Sequence, residues 1–185
     1  AMTFEYVIEE LGVDASLNYD VDFNYMTAAF ESGIADYCTM FEPTASDYEA
    51  QGKGYIVASV GEQSGEIPYT CFAAKQSFID ANPDKIEGLL RAVTKATKFV
   101  LENDAMTTAG YLTAYFDGTS EESLANSVQA YKDIDAWVTN MAMEQSTFDR
   151  LQDVIENSGE LERRVDFDEL ILTDAAEKVY KEIYS

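Results

Sequence analysis

The chain has 185 residues, 46% hydrophobic and 25% charged, a composition that excludes disorder and, at this length, more than two small domains. Twelve basic against 35 acidic side chains leave a net charge of −23, which excludes nucleic acid or an anionic membrane surface as partner, because both are bound by neutralising phosphates with Lys and Arg. There is no histidine, so Ser-His-Asp and Cys-His catalysis and His-ligated zinc are excluded too.

From Thr3 to Leu11, Phe4, Val7, Ile8 and Leu11 recur at helical spacing, and Gly12 is a natural stop. Leu17 to Phe23 alternates Leu17, Tyr19, Val21 and Phe23 with Asn18, Asp20 and Asp22, the period of a strand. A helix is predicted from Tyr25 to Glu31, ending near Gly33, then a short apolar strand from Ala35 to Phe41. Pro43 suits the first turn of a helix running to Gln51 and closed by Gly52. Tyr55 to Val60 reads as another strand. Helices alternating with short apolar strands predict a parallel sheet covered by helices, an α/β arrangement.

Gly61 to Pro68 has the composition of a loop or hinge, and Tyr69 to Ala74 reads as one more strand. The rest reads as helix. Asp84 to Glu102 follows the start signal Asn82-Pro83-Asp84 and carries an apolar stripe of Ile86, Leu89, Leu90, Val93, Val100 and Leu101. Further helices are predicted over Ala105–Phe116, Glu121–Tyr131 with Ser120 as N-cap, Glu144–Ser158 and Thr173–Tyr184. No run approaches the ~18 apolar residues of a membrane helix, and the start lacks a signal-peptide pattern. Cys38 and Cys71 lack CxxC spacing and read as free thiols, with a disulfide as the alternative. Helical periodicity begins at Thr3 with no approach segment, which predicts further chain upstream.

Four strings together carry a family resemblance: Met26-Thr27-Ala28-Ala29-Phe30-Glu31-Ser32-Gly33 with Ala35-Asp36; Phe41-Glu42-Pro43; Gly61-Glu62-Gln63-Ser64-Gly65 leading into Ile67-Pro68-Tyr69-Thr70; and Phe78-Ile79-Asp80-Ala81-Asn82-Pro83-Asp84. In this order they resemble the substrate-binding proteins of ABC importers in the nitrate, sulfonate and thiamine-pyrimidine group, which have the type II periplasmic-binding-protein fold. The resemblance implies one near-complete βα lobe over residues 1–66, then a hinge-return strand and the largely helical remainder of the other lobe over 67–185. Family members carry a further N-terminal half without counterpart here, so the chain is expected to be N-terminally truncated and to expose lobe-one surfaces through which copies associate. The resemblance also implies a small-molecule ligand, an ABC permease as partner, an extracytoplasmic location, and neither catalysis nor a cofactor.

Ligands of two-lobe binders sit at carboxyl ends of strands and near helix N-termini. Phe23-Asn24 and Phe41-Glu42 are such strand ends. Glu42 can accept hydrogen bonds from an amino group or protonated ring nitrogen, or act as a first-turn acid favoured by the helix dipole. Asn24 can contact ligand or cap the following helix. Phe23, Phe41 and Tyr69 can stack on a flat heterocycle or pack as core, and Gln63 and Ser64 can touch ligand from the hinge or make turn bonds. No basic residue precedes Lys53, which points to a neutral or cationic ligand such as an aminopyrimidine over a sulfonate. Two other classes compare poorly. A thiamine-pyrimidine synthase of this group supplies its own histidine, absent here, and an effector-binding regulator would carry a basic helix-turn-helix.

Overall fold

The computed structural model describes residues 1–185, and every regular element in it is a helix. In chain order these are α1 (Met2–Glu10), α2 (Met26–Glu31), α3 (Thr44–Ala50), α4 (Val60–Ser64), α5 (Gln76–Ala81), α6 (Pro83–Glu102), α7 (Ala105–Leu112), α8 (Glu121–Asp133), α9 (Gln145–Asn157), α10 (Phe167–Leu170) and α11 (Asp174–Tyr184). Turns of 3-10 helix, Phe23–Tyr25 and Thr113–Tyr115, precede α2 and extend α7.

The start and stop chemistry explains most boundaries. Ser120 accepts the Ser123 N–H at 3.1 Å, capping α8 as predicted, and Asp104 accepts the Thr107 N–H at 2.7 Å at the start of α7. Gly12 and Gly52 both have φ near +65° (64° and 68°), the left-handed conformation that ends α1 and α3. The next N–H then reaches back across the turn, Val13 to Ile8 at 2.8 Å and Lys53 to Tyr48 at 3.0 Å.

The four predicted strands do not form. Leu17–Phe23, Ala35–Phe41, Tyr55–Val60 and Tyr69–Ala74 contain no strand residue, and no backbone hydrogen bond joins any of them to another. A strand is held by the ladder to its neighbour, and without an adjacent partner its N–H and C=O groups turn to water or to side chains. Ile56 is an instance: its N–H donates to Glu49 Oε1 at 3.0 Å. The alternating apolar side chains stay uncovered, with Tyr55, Val57, Tyr69 and Phe72 all exposed. The α/β arrangement is therefore not realised as a sheet.

Two further expectations change. Val60–Ser64, spanning the end of the predicted strand and the start of the predicted loop, is a helical turn started by Ser59, whose hydroxyl accepts the Glu62 N–H at 3.2 Å. So short a turn leaves no periodicity to read. On α6 the buried residues are Thr94 and Thr97, while Leu89 from the predicted stripe is exposed.

Only 17 of 185 residues are buried, so the interior is a set of helix contacts and not one continuous core. Ala109, Leu124 and Ala125 form a buried apolar cluster where α7 packs on α8, flanked by Ala105 and Leu112. α1 packs on α4 and α9, and α3 on α8, so helices after residue 67 close over the first segment. α11 lies along α6, tied by Lys178–Glu87 at 2.6 Å and Arg91–Glu182 at 2.8 Å. Lys132 on α8 donates to Val100 O at 3.0 Å and Asn103 O at 2.6 Å, binding the last carbonyls of α6.

Candidate functional site

Three of the aromatic candidates meet. The Phe23 and Phe41 ring centroids are 6.2 Å apart and those of Phe41 and Tyr69 5.6 Å, both tilted, so the rings run in one row. Such spacing is ordinary for packed aromatic pairs. This row is not core, however: Phe23 is 67% exposed, Phe41 50% and Tyr69 80%. Phe23 opens the 3-10 turn before α2, Phe41 precedes Glu42 and Pro43 ahead of α3, and Tyr69 follows Pro68 in an extended run. The segments predicted as separate strands thus bring their end residues together without pairing their backbones.

Glu42 stands next to the row and is half-buried. Its Oε2 accepts the Ser46 N–H at 3.1 Å, the first-turn contact expected of an acid ahead of α3, and the Ser127 hydroxyl lies 3.4 Å from the same oxygen. No Lys or Arg pairs with it, since every ion pair of the chain is made elsewhere. A carboxylate in this setting recognises a hydrogen-bond donor or a cation, while the adjacent ring faces recognise a flat apolar body.

Tyr131, from the helical tail, belongs to the same neighbourhood. Burial pushes its hydroxyl above the usual tyrosine range; a hydrogen bond from the Glu42 backbone acts the other way, and the charges of Glu42 and Tyr69 add to the rise. Trp137 meets the Tyr131 ring edge-on, centroids 6.2 Å apart at 89°. The sequence predicts Tyr131 only as the end of a helix and does not connect it or Trp137 with Glu42. The signal was the four-residue spacing of Ser123, Ser127 and Tyr131, which puts all three on one side of α8.

The other candidates make local contacts. Asn24 donates its backbone N–H and its side-chain amide to Asp22 Oδ1, both at 3.0 Å, so Asp22 is the cap and Asn24 its recipient. Gln63 is exposed on α4. Ser64 is buried and donates to Gly65 O at 2.9 Å, with Gly61 O at 3.2 Å, which is turn chemistry. Cys38 and Cys71 are free thiols, and burial raises the Cys38 pKa. Arg164 pairs with Asp153 and Glu156 of α9, at 2.7 and 2.9 Å, and not with the acids beside it in sequence. No three His, Cys, Asp or Glu residues converge as a metal site, and no helix is long and apolar enough to cross a membrane.

Beside Phe23 a shallow groove of about 470 Å³ is lined by Asp20, Val21, Asp22, Tyr25, Ala28 and Ile34, with two acids and no base. The nearest basic residue in sequence, Lys53, is engaged by Glu31 at 2.7 Å and lies over the Tyr48 ring.

Comparison with known proteins gives one family and one curated relative. Residues 1–112 match the NMT1-like family. A Bacillus subtilis (strain 168) protein named "Putative binding protein YtlA" is 34% identical over 185 residues, covering 98% of this chain and 55% of the relative. The chain thus spans about half the length of the curated relative it matches. No solved structure matches.

Proposed function

The chain belongs to the NMT1-like family, the group of substrate-binding proteins its sequence resembles, and from that premise we propose that it forms part of the solute-binding component of an ABC importer. It captures a small organic ligand and performs no chemistry on it. The observation that carries this reading is the exposed row Phe23–Phe41–Tyr69 beside Glu42, a carboxylate with no cation of its own.

The ligand this arrangement suits is a flat heterocycle bearing an amino group or protonated ring nitrogen, such as an aminopyrimidine. The rings would stack on its faces and Glu42 would accept its N–H groups. Sulfonate or nitrate would need a cationic or N–H-rich pocket, and the groove beside Phe23 carries Asp20 and Asp22 instead. In the intact two-lobe protein, residues 1–66 would be most of one lobe and 67–185 the helical part of the other, closing on ligand about Gln63–Gly65 outside the cytoplasm. The unpaired extended runs and exposed Tyr55, Val57 and Phe72 support association, either with the rest of such a protein or between copies of this chain.

The test is calorimetric titration with 4-amino-2-methylpyrimidine and, separately, taurine. The pyrimidine should bind, taurine should not, and Glu42→Gln should weaken pyrimidine binding about tenfold. Binding of taurine alone, or a Glu42→Gln protein indistinguishable from wild type, would overturn the assignment.

A further inference from the structure

Along α8, Ser123, Ser127 and Tyr131 recur every fourth residue and make a polar line on an otherwise apolar, well-buried face that includes Leu124 and Val128. Polar side chains on the packed side of a helix need partners there. Ser123 donates to the Asp47 carboxylate on α3. Ser127 has one proton and two acceptors within reach, Ser123 O at 2.8 Å and Glu42 Oε2 at 3.4 Å. The shorter bond takes the proton, so Glu42 is left short of donors on this side.

One turn further on, Tyr131 has its ring braced edge-on by Trp137 and lies on the same side of α8 as Ser127, whose hydroxyl is 3.4 Å from Glu42 Oε2. The line therefore runs from an α3 carboxylate already satisfied, through one weakly contacted, to an aromatic ring beside the exposed row. Trp137 Nε1 is buried with no hydrogen-bond partner, a further donor left open in the same corner.

We propose that Tyr131 is a specificity-determining residue of the ligand site: with Phe41 and Tyr69 it encloses Glu42 aromatically, so that the site selects planar organic cations over non-planar ones of equal charge. This rests on the assignment of Glu42 and the aromatic row as the ligand site. The physical ground is that a carboxylate alone attracts any ammonium, whereas ring faces discriminate by shape and by the spread of charge over a flat ion. Tyr131 comes from the segment after residue 67 and Phe41 from the segment before it, so both segments contribute to selectivity.

Two probes that each carry one positive charge at pH 7 separate the ideas: 4-aminopyridine, which is planar, and 4-methylpiperidine, which is saturated and non-planar. Each is titrated into the full chain, with binding read by calorimetry and by emission of Trp137, the single tryptophan. Wild type should prefer 4-aminopyridine about tenfold, with saturable change in Trp137 emission. Tyr131→Leu should bring that preference down to about threefold or less, whereas Tyr131→Phe, which keeps the ring, should retain it. A merely structural role would lower both affinities together and leave their ratio. Preference retained in Tyr131→Leu with Trp137 emission silent in wild type, while Glu42→Gln still weakens both probes, would overturn the role of Tyr131 and leave the site standing. Should Glu42→Gln bind both probes as wild type does, or should neither probe bind wild type, the site fails and Tyr131 with it. If Tyr131→Leu does not fold, the wild-type Trp137 signal and the wild-type preference decide: both present support the proposal, and absence of either overturns it.

Discussion

Replacing Lys132 by methionine keeps the apolar stem and removes only the ammonium. In the folded chain that ammonium donates to Val100 O at 3.0 Å and Asn103 O at 2.6 Å, two carbonyls at the C-terminal end of α6. Hydrogen bonds involving a charged group contribute about 1.5–3 kcal/mol each, and a cation near a helix C-terminus adds about 0.3–1 kcal/mol. Rehydration of the freed carbonyls recovers part of this, because the contact is only partly buried. The expected net loss is about 2 kcal/mol, which for a chain of this size lowers Tm by about 4–8 °C. Urea unfolding followed by far-UV circular dichroism measures it, with Lys132→Arg as a comparison that keeps the charge. A loss below about 0.5 kcal/mol would refute the reasoning and mean that water serves these carbonyls as well as lysine does.

The other predictions concern the helix contacts and the site. Leu124→Ala should cost about 3 kcal/mol in urea unfolding, because Leu124 is 2% exposed within the Ala109–Ala125 cluster and its deletion leaves a cavity between α7 and α8. Gln152→Leu should cost about 3 kcal/mol by the same assay. The buried Gln152 amide accepts the Val165 N–H at 2.7 Å and donates to Val165 O at 3.2 Å, and both backbone groups would lose their partner. Tyr131 should ionise above the ordinary tyrosine pKa of about 10, as read from ultraviolet absorbance of wild type minus Tyr131→Phe. Its folded pKa is raised, so its stabilising contribution is full below the unfolded pKa and is lost as pH rises through the folded value. In Glu42→Gln the part of that rise due to the Glu42 charge disappears, so Tyr131 should ionise at lower pH than in wild type.

The helical half of the molecule was legible because its signals are local. Pro83 opens α6, Ser120 caps α8, and Gly12 and Gly52 close α1 and α3, each through contacts within a turn or so of chain. The strand half was legible only as pattern. Leu17–Phe23 alternates correctly, yet alternation states which faces differ and supplies no neighbour to bond to, so Tyr55, Val57, Tyr69 and Phe72 remain uncovered. The candidate site divides the same way. Phe23, Phe41, Glu42 and Tyr69 were readable as residues at segment ends, and the capping alternative for Asn24 does not hold because Asp22, two residues earlier, takes that role.

Composition, the missing histidine, the acid excess and the four ordered strings determined by themselves which chemistry is closed to this chain and which family it belongs to. Those properties are additive along the sequence and need no geometry. Only the tertiary structure could decide that Tyr131 and Trp137 share a corner with Glu42, some ninety residues away in sequence, or that α6 buries threonines while Leu89 faces solvent. A residue's contacts depend on which helix lands against it, and α8 reaches Glu42 because α3, which follows Glu42, packs on α8 through Ser123 and Asp47.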